Sequence, residues 1–396
     1  MPFLRLHGRG RSALMRALLA LHQCISGQDA SFNKATLRLY NVSIFPHLTT
    51  TPFCSISRGQ TLPIAKTMSA IQPTPAATRK AIEGKGAWTI RSEQIGLKIL
   101  VQPDNPDVDI IAIHGMGAKP ENTWNDRESK VNWLTHATML PAALPQARIM
   151  TYNYASHWFG EHAIKQSLSG VSIKLLNSLV DGRGDCPNRP ILLIGHCFGG
   201  LVAQEVYNRA RMHHQDYPSI ADSIVGMIFL GTPHHGIPDN CSFGTQGQIY
   251  KAVMEANVHV ECGLIETIAQ DNEILVNTVH NFTRIVELRR EDAPKLCCFY
   301  EQKASRVGRL VGLDSHPLEF VVGQMSGTLD GHGKEPLPLD HFQMNKFQGS
   351  NDDNYRSVLR EILKMIKSRK IPQYREESTV NSPKSRTVWK MRHRQS

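Results

Sequence analysis

The sequence predicts a domain of the α/β class: a mostly parallel central sheet with helices on both faces and a helical insertion. Three observations carry this. From about residue 95 to residue 300, short apolar runs that read as buried strands alternate with longer stretches of helical periodicity. Runs such as Val108–Ile113 in "DVDIIAI" and "PILLIG" are mostly apolar and read as buried strands, as a sheet covered on both faces requires. Gly-containing turns follow several of these runs directly, at the carboxyl ends where open α/β sheets hold their ligands.

The elements follow in order. Residues 1–85 are rich in Arg, Ser, Thr and Pro, with only Asp29 and Glu83 acidic. Their opening, "FLRLHGRGRSALMRALLALH", spaces Arg5, Arg9, Arg11 and Arg16 among apolar residues, as an amphipathic mitochondrial presequence does. Translation from Met68 would omit that segment and leave a cytoplasmic protein. No apolar stretch reaches about 18 residues, so no transmembrane helix of ordinary length is expected. From Trp88, "AWTIRSEQIGLKILVQP" reads as two strands of a hairpin. Val108–Ile113 and Ala147–Tyr154 read as strands, and His157–Val180 as a helix. "PILLIG" is a strand leading into a helix over Leu201–Met212, and Ile224–Leu230 is a further strand. Residues 237–295 read as mostly helical, with a polar start that suits part of a lid over 237–262. "KLCCFYEQ" and "LEFVVGQ", the latter over Leu318–Val322, supply two more strands. "NYRSVLREILKMIK" places Tyr355, Val358, Leu359, Ile362, Leu363 and Ile366 on one face of a terminal helix. The expected organisation is therefore a basic segment 1–85, a folded domain 86–366 and a basic tail 367–396.

The charge distribution decides which partners are in question. The chain of 396 residues has a net charge of +10. Residues 1–85 hold 11 Lys+Arg against 2 Asp+Glu, and residues 367–396 hold 9 against 2. The excess thus lies in the two ends and the domain between them is mildly acidic, which excludes a nucleic-acid surface as the reading of the domain. The eight cysteines form no C-x-x-C pair, so a structural zinc site is not expected. No H-E-x-x-H spacing or dinucleotide fingerprint occurs either, and the expectation is neither metal nor cofactor.

The chemistry concentrates at "GHCFGG", Gly195–Gly200. It has the spacing G-x-Nu-x-G, with Cys197 at the nucleophile position. In such an elbow the nucleophile sits on a strained strand-to-helix turn, and flanking glycines let neighbouring chains pass closely. The helix N-terminus also favours negative charge at the thiol. "HGMG", His114–Gly117, follows an upstream strand, where a loop donates a backbone N–H to an oxyanion hole. The donors here are the amides of Gly115 or Met116, and of Phe198. A base is expected after the last strand. His341 fits by chain order, with His332 and His316 as competitors. Glu301, closing "KLCCFYE", is the first candidate for the acid, with Asp330, Asp314 and Asp340 as alternatives. "GTPHHG", Gly231–Gly236, ends a central strand, so His234 and His235 are candidates for substrate contact, together with His114 and His196.

Taken together, "GLKILVQPDNPDVDIIAIHGMGAKPENTW", "LPAALPQARIMTYNY", "PILLIGHCFGGLVAQEV", "GMIFLGTPHHG" and "PLDHFQMNKF" resemble the lipase-like α/β-hydrolases of the serine active-site-containing protein 1 type. The same pattern resembles DUF676-like serine esterase domains, and similar domains stand at the N-termini of many fungal NACHT and ankyrin-repeat proteins. The resemblance covers roughly residues 95–365. It implies an α/β-hydrolase fold, hydrolysis of ester bonds in small-molecule or lipid acyl substrates, and an association with mitochondria or the endoplasmic reticulum, with peripheral membrane contact. By position it implies Cys197 as nucleophile, His341 as base and Glu301 as acid. The departure is Cys197 itself, where that family has serine. Dienelactone hydrolases use a Cys-His-Asp triad on this fold, so a thiol is compatible with ester or thioester hydrolysis. The competing readings are a catalytically silent scaffold that binds a lipid or protein partner, and a redox sensor at Cys197.

Overall fold

A computed structural model describes residues 80, 90–239, 241, 248–255, 259–308 and 318–368. The expected presequence, Met68, most of the basic tail, His316 and Asp314 lie outside the described residues.

Seven strands form one sheet: β1 (Gly96–Val101), β2 (Val108–Ile113), β3 (Ala147–Asn153), β4 (Ile191–His196), β5 (Ile224–Leu230), β6 (Lys295–Glu301) and β7 (Gly333–Leu337). Their order is β1-β3-β2-β4-β5-β6-β7. β1 runs antiparallel to β3, and every other neighbouring pair is parallel. Four longer helices cover the sheet: α1 (Leu168–Asp181), α2 (Phe198–Met212), α3 (Glu273–Arg289) and α4 (Asp353–Lys367).

The continuous apolar runs are explained by two cores. Ile111, Ile113, Ile191 and Leu193 face the core shared with α1, α2 and α3. Ile110, Ala112, Leu192 and Ile194 face the other core, with Trp124, Trp133, Phe347 and the inner side of α4. Alternate residues of each central strand therefore enter opposite cores, and neither face of the strand meets solvent. α4 is held at its start by Asp352, whose carboxylate accepts from the Asn354 amide at 2.9 Å. It buries Tyr355, Val358, Ile362, Met365 and Ile366.

One charged cluster interrupts this apolar interior. Asp109, fully buried near the start of β2, accepts from Arg148 through both carboxylate oxygens at 2.7 and 2.8 Å. It also pairs with Arg183, and with Arg189 at 3.2 Å. This cluster ties β2, β3 and the turn before β4 together at the end of the sheet opposite Cys197.

Several sequence expectations are corrected. The hairpin around Trp88 is not formed by the described part of that stretch. Ser92–Gln94 is a 3-10 turn, and β1 pairs with the distant β3 instead. The helix expected from His157 starts only at Leu168, where the Ser167 hydroxyl accepts from the Gly170 amide and caps it. Residues 157–167 form a loop over the sheet. The Leu318–Val322 run is not a strand, since its one ladder contact is an isolated bridge from Glu319 to Ser305. The last strand is β7, "GKEPL", whose Pro336 is tolerated because β7 is an edge. Between β5 and α3, short helices at Gln248–Glu255 and Gly263–Thr267 provide the helical insertion. No helix among the described residues is long and apolar enough to cross a membrane.

Candidate active site

The turn between β4 and α2 is strained at one residue. Cys197 has φ 53 and ψ −125, a backbone conformation that side-chain-bearing residues rarely adopt. Neighbouring chains hold it there: the Cys197 amide donates to the Leu230 carbonyl at 2.9 Å, and its carbonyl accepts from the Gly200 amide at 3.1 Å. The elbow closes only because its flanks lack side chains. A Cβ on Gly199 would collide with the backbone carbonyls of Ile113 and His114, and one on Gly115 would lie 2.8 Å from the Cys197 Cβ. Phe198 is the first residue of α2, so its N–H has no intrahelical acceptor.

The HGMG loop is set by His114. The Tyr154 amide donates to His114 Nε2 at 3.1 Å, which fixes the ring proton on Nδ1, and Nδ1 donates to the Gly115 carbonyl at 2.8 Å. The Tyr154 hydroxyl donates to the His114 carbonyl at 3.0 Å, and the two rings stack 4.3 Å apart. Burial lowers His114 to about 4, so the ring stays neutral. With the Gly115 carbonyl turned to His114, the Met116 N–H on the opposite edge of that peptide is directed away from His114. Gly115 and Met116 line the cleft beside Cys197.

His341 and Glu301 arrive from the carboxyl ends of β7 and β6. His341 is buried, and its Nδ1 lies 3.4 Å from Glu301 Oε2. His341 lines the same cleft as Cys197. Burial opposes charging the ring, but interactions with Cys197 and with the Glu301 carboxylate outweigh it and raise His341 to about 10. Glu301 is itself held by the Val322 amide, which donates to Oε1 at 2.8 Å, and the His341 amide donates to the Ser305 hydroxyl at 3.2 Å. His196 supports the base from the other side. Its Nε2 donates to the His341 carbonyl at 2.9 Å, so Nδ1 is the unprotonated nitrogen, buried beside Gly115. Burial, then the charges of His341 and Lys346, push His196 well below its usual value.

The structure thus brings Cys197, His341, Glu301, Gly115, Met116, Phe198 and His196 together. It separates the others. His114 is buried behind the loop rather than in the cleft wall. His234 is buried away from the cleft, bonded to Gln204 at 3.1 Å and 3.7 Å from the Cys298 sulfur. His235 is exposed, with its amide on the Ser326 carbonyl. The GTPHHG turn therefore does not present its histidines to substrate, because its backbone is drawn toward residues 326 and 268 instead. Among the rival residues, Asp340 Oδ1 accepts from the Phe342 and Gln343 amides of its own turn. Asp330 is exposed, and His332 precedes β7, at the far end of the sheet.

The cleft has a volume of about 900 Å³. Trp158, Phe159, Ile237, Ile249 and Ile268 give it an apolar wall. The loop carrying Trp158 and Phe159 is pinned to the insertion: the Glu261 amide donates to the Trp158 carbonyl at 2.8 Å, and the Gly160 amide to the His259 carbonyl at 2.9 Å. Sequence reasoning missed Tyr154, Ser305, the Val322 amide and Lys346 as parts of the site. Only the first carried a signal, its place at the end of a strand.

A mostly parallel sheet with an antiparallel first strand, a strained elbow after the central strand, and candidate base and acid after the last two strands define the α/β-hydrolase fold. No protein-family model matches the chain, and no curated protein matches it. Solved structures similar to it include a Bacillus licheniformis lipase in mature form, at 14% identity and a TM-score of 0.43, covering 66% of this chain and 97% of that one. A lipase-esterase related protein from Clostridium acetobutylicum aligns at 12% identity and a TM-score of 0.36, covering 68% and 98%. A thioesterase of the prodiginine pathway in Streptomyces coelicolor aligns at 11% and 0.35, covering 67% and 90%.

Proposed function

We propose that the protein hydrolyses carboxylic ester or thioester bonds of acyl substrates through Cys197, His341 and Glu301. The observation that carries this reading is one cleft that holds a thiol on a strained elbow and a buried imidazole 3.4 Å from a buried carboxylate. Cys197 Sγ attacks the acyl carbonyl carbon and its proton resides on His341. The carbonyl oxygen becomes an oxyanion, held by the amides of Met116 and Phe198. Collapse breaks the bond to the leaving group, which takes the proton from His341 and departs as alcohol or thiol. Water then gives a proton to His341 and attacks the acyl-cysteine, releasing the acid and restoring the thiol. Glu301 orients the ring and stabilises its charged form. The apolar wall suits an acyl chain, in line with the lipase-like family that the sequence resembles, with cysteine in place of serine.

The test uses the full chain with a short-chain aryl ester and an acyl thioester. Wild type, Cys197→Ala and Cys197→Ser are compared, with mass spectrometry for an acyl adduct. Turnover and an adduct on Cys197, both lost in the alanine variant, are expected. A folded wild type that neither turns over nor acylates would leave a scaffold that binds without chemistry. Activity gained only in the serine variant would mean that the thiol replaced the working nucleophile.

A further inference from the structure

The cleft is not apolar throughout. Besides its apolar wall it is lined by Lys80, Lys119, Arg127, Lys130 and Lys346, against one carboxylate, Asp126. The Oδ2 of Asp126 already accepts from the Glu128 and Ser129 amides and the Ser129 hydroxyl, which shapes its own turn. Lys346 is fixed from within. Its ammonium donates to the Phe342 carbonyl, and to Asn345 Oδ1 at 2.8 Å. Asn345 is in turn buried and anchored on the Thr123 carbonyl at 2.8 Å. An ammonium has three donors, so one remains for a ligand. The positive charge reaches the reacting groups. Burial and then Arg127 lower Lys346 to about 8, and Lys346 in turn disfavours charge on His196, next to Cys197. Lys119 acts on His157 in the same sense. Neither Arg127 nor Lys130 makes an ion pair among the described residues. A net positive subsite therefore lines the same cleft as Cys197 and the apolar wall.

We infer that the substrate is anionic: the site takes an acyl ester that bears a phosphate a few bonds from the scissile bond, with Lys346, Arg127 and Lys130 as its receptor. This rests on the hydrolase reading above. A free phosphorylated acyl alcohol and a phospholipid headgroup share this chemistry.

The experiment compares 1-octanoylglycerol with 1-octanoylglycerol 3-phosphate, both monomeric, and adds vesicles of a long-chain phosphatidic acid. The full chain is expected to favour the phosphorylated ester by about tenfold or more in kcat/KM at low salt. Salt at about 0.5 M should shrink that ratio. So should Lys130→Glu, an exposed loop change that leaves the interior untouched, and the double variant Arg127→Gln with Lys346→Gln. A preference seen with monomers assigns the subsite to a free ester, and one confined to vesicles assigns it to a lipid surface. Hydrolysis of the neutral ester with no gain from phosphate in either form would overturn the inference and leave the hydrolase standing. If neither ester is cleaved and Cys197 is not acylated, the hydrolase reading falls and the inference with it.

Discussion

Gly199→Ala should separate folding from catalysis. Gly199 is the second residue of α2 and lies against the end of β2. A methyl there would meet the His114 carbonyl oxygen at 2.7 Å and the Ile113 carbonyl closer still, while ordinary contacts begin near 3.4 Å. The obstacles are backbone atoms, so no rotamer change relieves them. α2 and the loop after β2 must part by about 0.7 Å or more. The two proposed oxyanion donors ride on those two elements, Phe198 on α2 and Met116 on the loop. A donor works within about 2.7–3.1 Å of the oxyanion, so this displacement takes one of them out of range. Losing one donor lowers kcat by about 10²–10³. The overpacking itself costs about 1–3 kcal/mol, which a domain with stability on the order of 5–15 kcal/mol survives. The assay is kcat on a soluble ester beside a thermal melt. A folded variant within about threefold of wild-type kcat would refute the geometry, since two to three orders are expected.

Two further predictions follow from buried charges. In Glu301→Gln the carboxylate that helps raise His341 is gone, so the ring deprotonates at lower pH. The alkaline limb of kcat/KM, set by His341 as the acid, should move down from about 10, with kcat reduced about 10²-fold or more; an unmoved limb would show that Glu301 does not act on the base. Asp109→Asn leaves Arg148, Arg183 and Arg189 facing one another without their shared carboxylate, at a cost of about 3–5 kcal/mol. Urea denaturation monitored by fluorescence would show it as a lower midpoint at constant slope, and a loss under about 1 kcal/mol would mean that solvent reaches the cluster.

The legible parts of the molecule were those dictated by one local rule. β2 and β5 fall on the expected residues because a strand buried on both faces is apolar at nearly every position, Asp109 being the exception that three arginines compensate. The elbow was readable because its glycines answer steric demands visible within six residues. His341 and Glu301 could be singled out from chain order alone, although their meeting at 3.4 Å is a tertiary fact. Features that depend on distant partners stayed hidden. β7 has a polar, proline-containing sequence and is a strand only because β6 offers an edge. Leu318–Val322 looks like a strand, but buries Val321 and Val322 while its backbone serves Glu301 and Ser305. The GTPHHG histidines sit at the correct end of β5, yet the turn's backbone bonds carry them away from the cleft.

The strained turn at Cys197 also bears on how such a protein diverges. Everything that positions the reacting atom belongs to the main chain: the left-handed torsion, the Leu230 carbonyl, the start of α2 and the glycines that admit them. The side chain contributes a single heavy atom beyond Cβ. Cysteine and serine codons differ by one nucleotide, so sulfur and oxygen can be exchanged in one mutational step without disturbing the frame. Replacing a glycine of the frame has no such neutral route. The main-chain frame of this turn thus accommodates sulfur or oxygen at its tip, while its glycines admit no side chain.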